Sequence, residues 1–332
     1  MALNIIDIAK LAGVSKSTVS RYLNNGYVGA EAREKIKKVI DETGFTPKSH
    51  AKSLRTGKTN LIGVIVPKIS TETAPRVVQG ITEVLSENNY DVLIANTNLS
   101  VEKEYEYLNI FKNNQVDGII FMGTKITPKH KAIMDQLNVP IVVVAQYMDS
   151  YPCVYHDDYN ASKFITEYLV GKGHKNIGFI GVYEEDISVG LERENGYIEA
   201  LKKNDINVDN DNIKIGDFSY EKAYELTKEL LEKNERPTAI FAVTDNLAVA
   251  VIDCLKDNGL KVPEDMAVVS IGDTRIANVI TPKLTTIHYF YKTSGVKSAE
   301  IMLELIKSGV KTSKSVKKNI KLSYRLIERN SV

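Results

Sequence analysis

The sequence predicts an α/β protein in two unequal parts: an N-terminal three-helix domain of helix-turn-helix type, and two doubly wound parallel-sheet subdomains behind it. Three observations predict it. Positive charge is concentrated before Lys58; a helix, a glycine turn and a second helix follow one another near the start; and apolar runs alternate with amphipathic stretches from Leu61 onward. The 332-residue chain is 43% hydrophobic and 26% charged, which excludes a mostly disordered chain, a collagen-like repeat and a disulfide scaffold.

The whole chain carries +1, but residues 1–58 hold 11 Lys and Arg against 5 Asp and Glu, a net +6, which leaves −5 for the rest. A basic head on an acidic body is the charge footprint of a nucleic-acid-binding module attached to something else. Asn4 is placed to cap a first helix carrying Ile5, Ile8, Ala9 and Ala12 on one face, and Gly13 ends it. Ser15 caps a second helix reaching about Asn24. A third, about Ala30 to Thr43, turns Ala32, Ile36, Val39 and Ile40 inward and stops at Gly44 and Pro47.

At about 100° per residue, Lys16, Ser17, Ser20 and Arg21 share one arc of the second helix, while Val19 and Leu23 face away from it. In a helix-turn-helix this second helix enters the major groove. Lys16, Ser17 and Arg21 are the candidate base readers, Arg21 having the fork that pairs with guanine. Asn4, Thr18, Ser20 and Asn24 suit phosphate oxygens.

In the body, strands are expected at 61–66, 91–95, 118–122, 141–144, 177–180, 239–243 and 267–270. Helices are expected at about 74–88, 101–114, 128–137, 159–171, 189–203, 220–233 and 246–258. Near-continuous apolar strands separated by helices indicate parallel sheets covered on both faces, with a ligand cleft outside their carboxyl ends. Just past strand ends stand Lys68, Thr71, Thr124, Gln146, Tyr147, Arg193, Thr244, Asp245 and Asp273, side chains able to hydrogen-bond a polar ligand. Asp245 and Asp273 have helix capping as an alternative role.

No phosphate-binding glycine loop, nucleophile elbow or metal-ligand spacing is present, so neither catalysis, a metal nor a cofactor is expected. His156, beside Asp157 and Asp158, has no second histidine at ligand spacing, and Asp158 is placed to cap a helix. His174 reads as a helix-end histidine, favoured by the helix dipole. Cys153 and Cys254 read as buried free thiols of a reducing compartment. No apolar run is long enough for a membrane helix and the first residues lack a secretory pattern, so a cytoplasmic location without membrane contact is expected.

The stretch IIDIAKLAGVSKSTVSRYLNN resembles the headpiece signature of LacI/GalR-family bacterial repressors, matching it at Asp7, Ala9, Ala12, Gly13, Val14, Ser15, Thr18, Val19, Ser20, Arg21, Leu23 and Asn24. LIGVIVP, QVDGIIF, GHKNIGFIG, Arg193–Tyr197 (R-x-x-G-Y), VTDNLAVAV, VPEDMAVVSIGD and TPKLTTI carry the likeness through the body, whose counterpart in that family is periplasmic sugar-binding-protein-like. The resemblance implies a homodimeric, sugar-responsive repressor on a pseudo-palindromic double-stranded DNA operator, with Lys16, Ser17 and Arg21 at base-reading positions. It divides the chain into a DNA-binding domain at 1–46, a hinge at 47–59 and an effector-binding, dimerising core at 60–332. Within the core it implies an N-subdomain of about 60–159 and 290–322 and a C-subdomain of about 160–289. Leu54 falls at the family's minor-groove wedge, an insertion that kinks the duplex, and Lys52 falls where an arginine is usual, keeping a phosphate contact but not a forked one.

Four further positions depart from the family pattern. Gly29 replaces the serine that usually caps the third helix. Lys68 follows the first strand where an acidic or small residue is usual, Thr244 stands for asparagine, and Gly272 takes the first place of an Asp-Asp pair. A cation gained and an anion lost point to a negatively charged effector, most simply a sugar phosphate, unless Lys68 faces solvent or pairs with Glu72. The resemblance leaves one alternative, a global catabolite regulator whose main co-regulator is a phosphocarrier protein. A sugar-transport component would lack the basic head.

Overall fold

A computed structural model of the chain describes residues 3–23, 26–45, 58–113, 116–310, 312–314 and 316–332. The hinge at 47–59 therefore lies outside the described residues except for Lys58 and Thr59. The chain divides into two units, residues 1–59 and 60–332.

In the smaller unit, α1 (Ile5–Leu11) starts at a reciprocal cap. The Asn4 side chain accepts from the Ile6 and Asp7 amides at 2.8 and 3.3 Å, and the Asp7 carboxylate accepts from the Asn4 amide at 2.9 Å. Gly13 takes φ 62° in the turn. Ser15 Oγ then accepts from the Thr18 amide at 3.1 Å and opens α2 (Lys16–Leu23). α3 (Ala30–Thr43) begins at Gly29 without a side-chain cap and ends at left-handed Gly44. Ile8, Ala9, Ala12, Val19, Val28, Ile36 and Phe45 form the small core, with Leu23, Ala32, Val39 and Ile40 packed against it.

The larger unit has two lobes. The first holds β1 (Leu61–Val66), α4 (Thr73–Glu87), β2 (Asp91–Asn96), α5 (Val101–Asn113), β3 (Gly118–Phe121), α6 (Pro128–Met134), β4 (Ile141–Val144) and β5 (Cys153–His156). The second runs through α7 (Asp158–Gly171), β6 (Ile177–Val182), a π-helical turn (Ile187–Glu192) continuing into α8 (Arg193–Lys203), β7 (Ile213–Gly216) and α9 (Tyr220–Leu231). It continues with β8 (Ala239–Ala242), α10 (Asp245–Asp257), β9 (Ala267–Gly272), α11 (Arg275–Val279) and β10 (Thr285–Tyr289). The chain then returns to the first lobe for α12 (Tyr291–Lys307) and β11 (Asn319–Leu322), and crosses once more to place β12 (Tyr324–Ile327) in the second.

The sheets are ordered β11-β5-β4-β3-β1-β2 and β12-β10-β9-β8-β6-β7. Pairing is parallel throughout except for β12, antiparallel to β10. β1, β3, β4, β6, β8 and β9 are the apolar runs read from sequence, buried from both faces. β5, β7, β10, β11 and β12 were not expected. They are short, or half-buried with alternating polar residues, and their pairing is fixed by distant chain. α12 packs on α4 so closely that a Cβ on Gly80 would lie 2.1 Å from the Lys292 carbonyl, and one on Gly295 would lie 2.0 Å from that of Val77. These two glycines fasten the returning segment to the first lobe.

Both cysteines are buried and unpaired. No helix among the described residues is long and apolar enough to cross a membrane. His174 lies just beyond the end of α7, its amide donating to the Leu169 carbonyl at 3.2 Å; its Nδ1 is 3.0 Å from Thr238 Oγ1, and burial lowers its pKa.

Candidate functional site

Two surfaces carry the candidate residues. On the head, Lys16, Ser17 and Arg21 are exposed along α2 while Val19 beneath them is fully buried, so the core fixes the face they present. Ser15 Oγ ties the start of this helix together, 2.7 Å from Ser17 Oγ and 2.8 Å from Thr18 Oγ1. The Asn4 carbonyl oxygen is committed to capping, leaving its amide group outward. Ser20 is half-buried on the same helix. Asn24, Lys52 and Leu54 lie outside the described residues. Tyr27, 91% exposed, is an aromatic hydroxyl on this unit that the sequence reading did not single out.

In the larger unit a cavity of about 270 Å³ lies between the lobes, beyond the carboxyl ends of both sheets. Lys68, Thr71, Thr124, Gln146, Arg193, Thr244 and Asp245 line it; Tyr147 and Asp273 do not. Ala145, at φ 69°, turns the chain after β4 so that Gln146 points inward and Tyr147 out. The Tyr147 hydroxyl donates to Asp149, at 3.4 Å. The Asp273 carboxylate is held by Arg329 at 2.6 Å and His288 at 2.7 Å. Burial works to raise its pKa, but these two partners outweigh it and hold the carboxyl below its usual range.

Arg193 is buried, aligned by the π-helical turn that precedes α8. Its Nε and Nη2 donate to Asp158 Oδ1 at 2.8 and 2.7 Å, and its Nη1 donates to the Val243 carbonyl. The same Asp158 oxygen accepts from the Tyr289 hydroxyl at 3.0 Å. Asp158 is therefore the partner of Arg193 and not the helix cap expected of it; Asp157 occupies the cap position, its carboxylate accepting from Asn160 at 2.9 Å and not from a helix amide.

Asp245 is not a cap either. Thr244 caps α10, and buried Asp245 knits the wall: Oδ1 accepts from Ser270 (2.5 Å) and Thr286 (2.8 Å), Oδ2 from the Thr274 amide (2.6 Å) and hydroxyl (2.7 Å). A Cβ at position 272 would lie 2.7 Å from Asp245 Oδ2, and φ there is +156°. Gly272 is thus a steric requirement of the Asp245 network.

Asp158, Asp186, Asp245 and Glu72 line the cavity against Lys68 and Arg193, so carboxylates outnumber cations along its wall. Glu72 pairs with Arg76 at 3.4 Å, not with Lys68. Loss of hydration pushes the Asp186 carboxyl up to about 6. His156 is driven down to about 3 by burial and by the charges of Arg193 and His288, so its ring is neutral. No group of three or more potential metal ligands occurs among the described residues.

Sequence reasoning missed Asp186, Ser188, Phe218, Tyr289, Tyr291 and Ser294, all of which line the cavity. Asp186 follows β6 and shared the strand-end signal; Tyr289 ends, and Tyr291 follows, a strand the sequence does not mark. The lobes touch on two sides of the cavity. Glu72 accepts from the Arg275 amide at 2.8 Å and Arg76 donates to the Asp273 carbonyl at 3.1 Å. Opposite them, Ser188 donates to the Ala145 carbonyl at 2.8 Å, and Gln146 reaches Asp186 at 3.4 Å.

Comparison with known proteins matches residues 4–48 to bacterial regulatory proteins of the lacI family and residues 166–332 to a periplasmic binding protein-like domain. The chain is 35% identical to the sucrose operon repressor of Staphylococcus xylosus, over 92% of this chain and 95% of that protein. It is 35% identical to catabolite control protein A of Priestia megaterium, over 86% and 87%. Among solved structures, the Lac repressor bound to ONPG in its repressed state superposes with a TM-score of 0.88 at 25% identity, covering both chains fully.

Proposed function

The chain belongs to the LacI family of bacterial regulatory proteins, and we propose that it represses carbohydrate-utilisation genes, gated by a sugar or sugar phosphate held between the two lobes. The observation that carries this is the α2 surface: exposed Lys16, Ser17 and Arg21 over a buried Val19, on a helix fixed by Ser15. Lys16, Ser17 and Arg21 read base edges in this reading, Asn4, Thr18, Ser20, Asn24 and Lys52 hold phosphates, and Leu54 enters the minor groove.

A homodimer fits the first lobe. β2 is an edge strand with Leu93 and Ile94 exposed, and Ile69, Pro75, Val78 and Ile94 line an apolar groove beside α4. Two copies related by a two-fold axis would place two heads on the halves of a pseudo-palindromic operator. The effector acts only if it prefers one lobe arrangement over the other. The likeness to a catabolite control protein favours a global catabolite regulator as the second reading, with a phosphocarrier protein as co-regulator; capture of such a carrier by the immobilised protein separates the two.

Selection of random duplexes by the full-length protein, followed by fluorescence anisotropy, tests the reading. A two-fold symmetric site is expected. Arg21→Ala should relax preference at one position of each half-site by about 1–3 kcal/mol, and Lys52→Ala should weaken all duplexes alike while flattening the salt slope. Binding without sequence preference at any salt concentration overturns it.

A further inference from the structure

The inner end of the cavity is built where the chain crosses between lobes. His156 ends β5 just before the first crossing, and Tyr289, Tyr291 and Ser294 straddle the second. The imidazole lies flat on Tyr289, with centroids 4.4 Å and planes 9° apart, and edge-on to Tyr291 at 5.3 Å. His156 is 7% exposed and Ser294 0%, and both line the cavity. Yet His156 Nε2 and Ser294 Oγ have no hydrogen-bond partner among the described residues. Glu104 Oε2 and His130 Nε2, elsewhere in the first lobe, share this condition only nominally, because they lie 2.8 Å from each other. Ser298, one turn beyond Ser294, bonds back to the Ser294 carbonyl as helical serines do; Ser294 makes no such bond.

Buried polar atoms are nearly always satisfied, so two orphans on one cavity wall mark where another molecule completes the bonding. We propose that His156 Nε2 and Ser294 Oγ form a neutral subsite that anchors hydroxyls of an uncharged sugar, in preference to a phosphorylated one. This rests on the reading of the cavity as a sugar site and goes further by naming the class. A sugar hydroxyl both donates and accepts, as a serine hydroxyl does and as a neutral imidazole does through its two nitrogens. The ring is kept neutral by its surroundings.

A phosphate finds no equivalent welcome. Three of the five Arg193 N–H donors are already engaged by Asp158 and the Val243 carbonyl, while Asp158, Asp186 and Asp245 place carboxylates around the cavity. Lys68, on the loop after β1, is the other cation of the lining, and the carboxylates outnumber the two.

Calorimetric titration of the full-length protein with glucose, fructose and sucrose, each beside its 6-phosphate, tests the proposal. At least one uncharged sugar should bind tenfold or more tightly than its phosphate. His156→Phe, which keeps the ring stack, and Ser294→Ala should each weaken that sugar about tenfold, the equivalent of one buried hydrogen bond. The melting temperature of the unliganded variants should hold or rise, because each loses an unsatisfied atom; a merely structural role would lower it. Tighter binding of the phosphates, or unchanged affinity in both variants, overturns the proposal while leaving a sugar site standing. Failure of every sugar, charged or not, removes the sugar reading and the proposal together.

Discussion

The two walls of the cavity are built on different principles. On the second lobe the polar groups are bonded to one another before any ligand arrives: Asp245 accepts four hydrogen bonds, and Arg193 is locked to Asp158 and Val243. On the first lobe, Thr71 Oγ1 reaches its partners only at 3.3 Å, the Thr124 hydroxyl reaches Glu104 at 3.4 Å, and His156 and Ser294 keep unmatched atoms. A saturated wall gives shape and a preorganised rim; an unsaturated wall has bonds left to form. Ligand binding should therefore draw mainly on the first lobe, and protein stability on the second.

Substitutions can break this contrast. The largest effect is expected at Arg193→Ala, which leaves Asp158 buried and unpaired and should cost about 3–5 kcal/mol in urea unfolding of the core. Asp245→Ala should follow at about 2–4 kcal/mol, since it strands the Ser270, Thr274 and Thr286 donors. Gly272→Ala, which drives a Cβ into the Asp245 carboxylate, should cost about 1–3 kcal/mol by the same measurement.

Asp186 sharpens the contrast through pH. Its folded pKa, about 6, lies above the unfolded value, so the stability it adds is fully present below about pH 4 and is lost as pH rises through 6. Asp186→Asn should flatten that dependence and stabilise the protein at pH 8 by about 1–2 kcal/mol, allowing for partial exposure to water. Lys68→Ala, on the first-lobe wall, should change stability by less than about 0.5 kcal/mol. Loss of stability at Lys68 comparable to that at Arg193 would erase the distinction between the walls.

The head was legible almost residue by residue because its signals are local: a capping asparagine, a capping serine and two left-handed glycines fix three helices. The central strands were legible because burial on both faces writes a continuous apolar run, as in LIGVIV and IVVV. β10, β11 and β12 were not, because short runs mixing polar and apolar residues, as in Thr285–Tyr289 or Tyr324–Ile327, do not say which sheet will receive the strand. At the cavity, position past a strand end found seven lining residues but could not tell Gln146 from Tyr147, which point opposite ways after one left-handed residue. Nor could it foresee that Asp158, read as a cap, would neutralise Arg193, or that Gly272 answers to the Asp245 carboxylate. Both depend on partners far away in the chain.

The three crossings between lobes have a consequence for the gene. Neither lobe is encoded by one uninterrupted stretch: the first needs residues beyond Tyr291, and the second needs the strand that follows Ser323. A nonsense codon near residue 290 would strip α12 and β11 from the first lobe as surely as it removes β12 from the second. Recombination can exchange the head by a single cut near residue 59, but it cannot trade one lobe without a multi-segment graft, so the two must accumulate substitutions in company.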